Sequence, residues 1–120
     1  KGVLDGNGTS IFNGHILVKQ DAQKTNAYQT NRNIVLSDDA SAFAKPFLEI
    51  YADDVKCSHG ATIGQLDQKA LFYLRSRGLS EDTAKSFLIK AFVGEVLEAC
   101  GHDIFRENVE LKVKKKLENK

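Results

Sequence analysis

The chain has no tryptophan, no methionine, one proline and two cysteines among its 120 residues. Cys57 and Cys100 form no closely spaced pair, which rules out the disulfide framework on which small secreted domains depend and favours a reducing cytosol. No apolar run approaches the length needed to span a bilayer, and the first residues resemble neither a signal peptide nor a transit peptide, so no membrane association is expected. Charge of one sign is also missing: 17 Lys and Arg stand against 16 Asp and Glu, a formal charge of +1. Such a balance gives no field that would steer the protein to nucleic acid. The basic run Lys112-Val113-Lys114-Lys115-Lys116 lies in the tail and reads as a solvated helix end or frayed terminus. No Gly-rich loop ends in Gly-Lys-Ser or Gly-Lys-Thr, and no dinucleotide fingerprint occurs, so any nucleotide hydrolysis belongs to another chain. The absence of methionine and the opening Lys1-Gly2 fit either proteolytic processing or a segment cut from a longer protein, and the second is the expectation.

What is present falls into two kinds of sequence. Up to about residue 64 there are short strand-like runs at Ser10–Phe12, His15–Val18, Asn26–Gln29 and Asn33–Leu36. Turn material separates them at Asp5–Gly8, Asn13-Gly14, Gln20–Ala22 and Ser37–Asp39. The stretch from Gln20 to Asn33 is crowded with Asn, Gln and Thr. That composition suits a solenoid stacking polar side chains in register better than a sandwich, which needs a two-layer apolar core. Pro46 biases Lys45 towards an extended conformation, Asp53-Asp54 reads as a turn, and Ala61–Gly64 as a further strand. The link through Ala40, Ala42 and Ala44 reads as a loop or one helical turn.

From residue 65 the period becomes helical. Asp67 caps a helix presenting Ala70, Leu71 and Leu74, with Gly78 as its left-handed terminator. Ser80 caps a second helix with Glu81 and Asp82 in its first turn, Ala84, Phe87, Leu88, Ala91, Phe92 and Val96 at helical spacing, and Gly101 at its end. The segment from Asp103 to Leu117 reads as a helix through Phe105, Val109, Val113 and Leu117, although Val109, Leu111 and Val113 also alternate as a strand would. The expected fold is therefore mainly β with a helical C-terminal region: residues 1–64 are terminal rungs of a parallel β-helix, and residues 65–120 are a helical domain. Two halves of about 60 residues would each be marginal alone. A solenoid end leaves backbone groups unpaired, so association is expected, with the rest of the protein or with a second copy as a homodimer.

Candidate chemistry centres on Cys57 and His59, which share one side of a strand at their spacing of two. Thiolate and imidazole are soft donors suited to iron, zinc or an iron–sulfur centre, but two donors do not complete a site. Chemistry alone leaves structural roles, part of a metal or interface site, and nucleophilic catalysis all open. Cys100, at the end of an apolar helix, reads as structural, and nothing in the spacing of His15 or His102 demands a site. Glu49, Asp53 and Asp54 are the most obvious carboxylates, and a polysaccharide-active β-helix enzyme would need an acid pair from them. Adjacent acids on a strand diverge, however, and in a turn they face water. Asp5-Gly6-Asn7-Gly8 lacks the later bidentate Glu of a calcium loop.

The run Leu48-Glu49-Ile50-Tyr51-Ala52-Asp53-Asp54-Val55-Lys56-Cys57-Ser58-His59-Gly60-Ala61-Thr62, followed by Leu71-Phe72-Tyr73-Leu74-Arg75-Ser76-Arg77-Gly78, resembles the C-terminal part of members of the SufB/SufD family of iron–sulfur cluster assembly proteins. His59-Gly60-Ala61-Thr62, where SufB has a His-Glu-Ala-Thr pattern, and Leu74, where SufB usually has a cysteine, place the resemblance on the SufD side. It implies a right-handed parallel β-helix followed by a helical domain, in a noncatalytic scaffold subunit that pairs with SufB through the β-helix ends. It also implies that the helical region, from Leu71 through Cys100, docks the SufC ATPase, where Arg75 and Arg77 are candidate polar contacts. His59 is implied to handle iron or an iron–sulfur cluster at the SufB junction, with Cys57 its less certain neighbour; the fragment alone is expected to hold neither.

Overall fold

In the computed structural model, residues 1–118 are described. Five strands and three helices follow one another along the chain: β1 Gly2–Leu4, β2 Thr9–Val18, β3 Asn26–Val35, β4 Ser41–Ile50, β5 Lys56–Gly64, α1 Gln68–Ser76, α2 Glu81–Glu98 and α3 Asp103–Glu118. They divide into two compact units, Lys1–Gln65 and Leu66–Lys120.

In the first unit the chain alternates between two sheets, β1-β3-β5 and β2-β4, and every pairing is parallel. Gly2 pairs with Asn33, Thr9 with Ser41 and Asn26 with Lys56, offsets of 31, 32 and 30 residues. The turns keep the same offset. Ser37 Oγ donates to the Gly6 carbonyl, and the Asp54 amide donates to Gln23 Oε1. The Leu36 amide reaches the Leu4 carbonyl, and the Tyr51 amide reaches that of Val18. Strands and turns thus stack as one repeat, because parallel neighbours need a long connection and the opposite sheet supplies it.

Two sequence signals resolve differently from expectation. Asn13-Gly14 is no turn but the middle of β2, and the alanine-rich link becomes β4. In a parallel neighbour the stacked strand sets the local conformation, overriding turn propensity. Pro46 sits inside β4, opposite Gly14. The Ser41 amide bonds the Gly8 carbonyl and the Tyr51 amide bonds that of Val18. Hence the odd-numbered residues of β4 face β2, and the missing N–H of Pro46 falls on the free edge, where it costs no ladder bond.

The interior is small and partly polar. Leu4, Val18, Ala40 and Ala52 are buried, and so are Asn31 and Asn33, which bond each other through Asn33 Nδ2 and Asn31 Oδ1 at 2.6 Å. Gly14 is needed here for space: a Cβ there would lie 2.5 Å from Gln29 Nε2 and 2.7 Å from Phe12 Cζ. Gly14→Ala is expected to destabilise the unit by about 1–3 kcal/mol through overpacking, measurable as a lowered urea midpoint at unchanged slope.

The helical unit follows its capping signals. Asp67 Oδ1 accepts from the Lys69 and Ala70 amides at 2.8 and 3.1 Å, and Ser80 Oγ accepts from the Thr83 amide at 3.2 Å. Gly78, at φ +93°, closes α1 while the Leu79 amide returns to the Leu74 carbonyl. Asp67→Ala is expected to cost about 1 kcal/mol in thermal or denaturant unfolding. Glu81 meets Lys85 at 2.7 Å and Arg75 at 3.3 Å. The Lys85 hydrogen bond and charge, then the Arg75 charge, hold its carboxyl below the ordinary value. A lowered folded-state value means this small contribution is present above the usual carboxylate range and fades as pH falls through the lowered value. Lys85→Ala should return the Glu81 titration, followed by NMR, towards normal.

The apolar face of α2 differs from the expected one. Ala84, Ile89 and Leu97 are buried, whereas Phe87, Ala91 and Val96 are exposed. The helix carries apolar groups on nearly every side, so periodicity alone does not choose the side that packs. It ends at Glu98, three residues before Gly101. The last segment is helical, and the basic run lies inside it.

Candidate functional site

β5 is the outer strand of its sheet, and its hydrogen-bond parity follows from one contact. The Lys56 amide donates to the Thr25 carbonyl at 2.9 Å. In a parallel ladder a residue's N–H and C=O point to the same side and alternate along the strand. Lys56, Ser58, Gly60 and Thr62 therefore bond β3. The backbone groups of Cys57, His59, Ala61 and Ile63 face the open edge.

Side-chain direction alternates as well. On β3 the inward residues are Ala27, Gln29, Asn31 and Asn33, while Tyr28, Thr30 and Arg32 are exposed. The register pairs Ala27 with Cys57, Gln29 with His59, Asn31 with Ala61 and Asn33 with Ile63. Cys57 and His59 thus continue the inward face by one strand, and among the described residues no strand lies beyond them. Cys57 is half-buried against Ala27, and its thiol is free; His59, Ala61 and Ile63 are exposed. The two sequence-predicted donors share one face, as their spacing required. Among the described residues no cluster of three or more His, Cys, Asp or Glu forms around them. His15 stands on β2, and Cys100 and His102 stand on the link between α2 and α3.

The carboxylates do not assemble into an acid pair. Glu49 binds His15 Nε2 at 3.0 Å and accepts a hydrogen bond from Tyr51 Oη, and His15 lies against Phe47 with ring centroids 4.9 Å apart. The Glu49 hydrogen bond and charge push the Tyr51 hydroxyl above its ordinary value. Asp53 and Asp54 are exposed, in the turn that stacks on Gln23 and Lys24. Sequence reasoning missed two features of the site. Gln29 is the register partner of His59, and its Oε1 is buried without a hydrogen-bond partner among the described residues. The edge parity of β5 was the other; both depend on pairing register, which period-2 alternation alone does not fix.

In the helical unit the notable surface is apolar. Phe72 is 74% exposed, and Tyr73, Phe87, Ile104 and Phe105 are also open to solvent. The Arg77 guanidinium lies 5.1 Å over the Tyr73 ring. A groove of about 580 Å³ runs between α2 and α3, with Val93, Leu97, Leu111 and Val113 as its apolar lining and Lys90, Glu107, Glu110 and Lys114 as its charged lining. Among the described residues no helix is long and apolar enough to cross a membrane.

Fold and site define a parallel-strand scaffold with a helical unit, carrying an incomplete pair of soft donors on its outermost strand. The chain belongs to the SufBD family: residues 1–92 match the SufBD core domain of the SUF system for FeS cluster assembly. It is 43% identical over 117 residues to the iron–sulfur cluster assembly protein SufD of Escherichia coli, covering 98% of this chain and 28% of that protein. It is 54% identical over 98 residues to the SufBD family protein slr0076 of Synechocystis, covering 82% of this chain and 22% of the relative. Chloroplastic ABCI7 of Arabidopsis thaliana is 41% identical over 112 residues, 93% of this chain and 24% of the relative. The resemblance on the SufD side is borne out, and the chain spans about a quarter of the length of these curated relatives.

Proposed function

We propose that the chain is the part of a noncatalytic SUF scaffold subunit that pairs with SufB through β5 and docks the SufC ATPase through its helices. On this reading the first unit is the end of a right-handed parallel β-helix in a cytoplasmic assembly, and His59 handles iron or a nascent cluster at the junction. The observation that carries it is the open edge of β5, where the backbone of Cys57, His59, Ala61 and Ile63 offers unpaired groups beside two soft donors. Strand addition would satisfy those groups and bring a partner's residues next to His59. β4, the other outer strand at this end, is interrupted on its free edge by Pro46, a device that discourages pairing. β5 carries no proline.

A thiol and an imidazole fit iron by donor chemistry but supply too few groups for a tetrahedral centre, which suits transient cargo completed from a second chain. Cys57 is half-buried and His59 exposed, so His59 is the donor of first contact and Cys57 the weaker candidate. Docking of SufC is supported by the exposed aromatics of α1 and α2, since aromatic groups dominate binding energy at interfaces. The test is binding of SufC to the full-length protein. Phe72→Ala with Tyr73→Ala should weaken it at least tenfold by calorimetry, with the far-ultraviolet spectrum unchanged. Unaltered affinity would count against docking through this surface.

A further inference from the structure

We infer that Gln29 is a positioning residue for His59: the exposed imidazole, unbonded among the described residues, turns inward to donate its N–H to the Gln29 side-chain oxygen and leaves the second ring nitrogen as the donor to an incoming cation. The inference rests on the proposed role of His59 and extends it to a residue one strand inward.

Three observations meet at this point. Gln29 and His59 are register partners on adjacent parallel strands and share one face. Neighbouring strands lie about 4.8 Å apart, within reach of a glutamine and a histidine stacked in register. Gln29 Oε1 is buried and has no partner among the described residues. Leaving a buried acceptor unpaired forfeits its hydration with nothing in return, so it is rarely left without a donor. Finally, the amide lies tight against the bare backbone of Gly14, whose missing Cβ leaves just the space that Gln29 Nε2 and Cδ occupy. The side chain is therefore confined, and a confined acceptor can orient what bonds to it.

The neighbouring donors narrow the choice. Asn31 is already engaged with Asn33 through its oxygen, and it lies two residues along the same strand. Cys57 is diagonal to Gln29 and offers only a weak S–H donor. His59 is directly opposite, and either ring nitrogen can carry the proton. In a neutral imidazole the hydrogen bond made by one nitrogen decides which nitrogen keeps its lone pair. Partners of this kind typically change metal affinity 10- to 100-fold when removed.

The experiment reads the His59 tautomer in metal-free, full-length protein labelled with 15N-histidine, the resonance being assigned by its loss in His59→Ala. Wild-type His59 should hold one tautomer in excess of the free-imidazole mixture. Gln29→Met, close in volume but without an acceptor, should relax it to that mixture, whereas Gln29→Glu, which keeps an oxygen, should retain the bias. Gly14→Ala, which displaces the amide from the other side, should relax it as well and stands in if Gln29→Met fails to fold. In parallel, Fe(II) binding by the assembled complex should weaken about 10- to 100-fold in Gln29→Met. A wild-type His59 with the free-imidazole mixture, or a bias unchanged in Gln29→Met, overturns the inference. If His59→Ala leaves Fe(II) binding unaltered, the proposed role of His59 fails instead, whatever the tautomer shows.

Discussion

Ala61→Pro in the full-length protein is expected to abolish pairing with SufB while leaving the fold intact, and Gly60→Pro to unfold the end of the sheet. The two positions are adjacent and exposed, so burial does not separate them. Parity does. The Lys56 amide bonds the Thr25 carbonyl, which puts the Gly60 amide on the β3 side and the Ala61 amide on the open edge. Proline at Ala61 removes only a donor that a partner strand would use, as Pro46 already does on the free edge of β4. Proline at Gly60 removes a ladder bond and costs the chain about 3 kcal/mol or more by analogy with other interior sites. Co-purification with SufB, read beside thermal unfolding, separates the cases. Retained pairing in Ala61→Pro would show that the partner does not add to β5.

How much of this was legible beforehand depended on which interactions fix each element. The caps of α1 and α2 lay in the sequence because Asp67 and Ser80 act within a few residues, and the structure places both where local chemistry requires. The stacked polar interior was legible in the Asn and Gln content around Gln29, Asn31 and Asn33. Asn13-Gly14 misled because a two-residue turn and a strand glycine read alike until the parallel neighbour is known. The alanine-rich link misled for the same reason: β4 is held by β2, more than 30 residues away in sequence, and its own side chains carry little preference. The buried side of α2 was hidden by apolar residues all round the helix. As for the site, spacing put Cys57 and His59 on one face, but Gln29 came into view only with the register. Period-2 alternation says which residues share a face, never which residue of a neighbouring strand lies beside them.

The largest effect on function is expected from His59→Ala. The side chain is exposed at the end of the inward face, and the one bond assigned to it is the inferred one to Gln29, so its removal should cost no more than about 1 kcal/mol. A loss of function would then report chemistry rather than folding. The measurement is iron–sulfur cluster formation on the complex of full-length protein, SufB and SufC, followed by the cluster's visible absorption, with assembly of the complex scored separately by size. The account predicts that His59→Ala assembles normally and forms little or no cluster. Normal cluster formation on a normally assembled complex would contradict it.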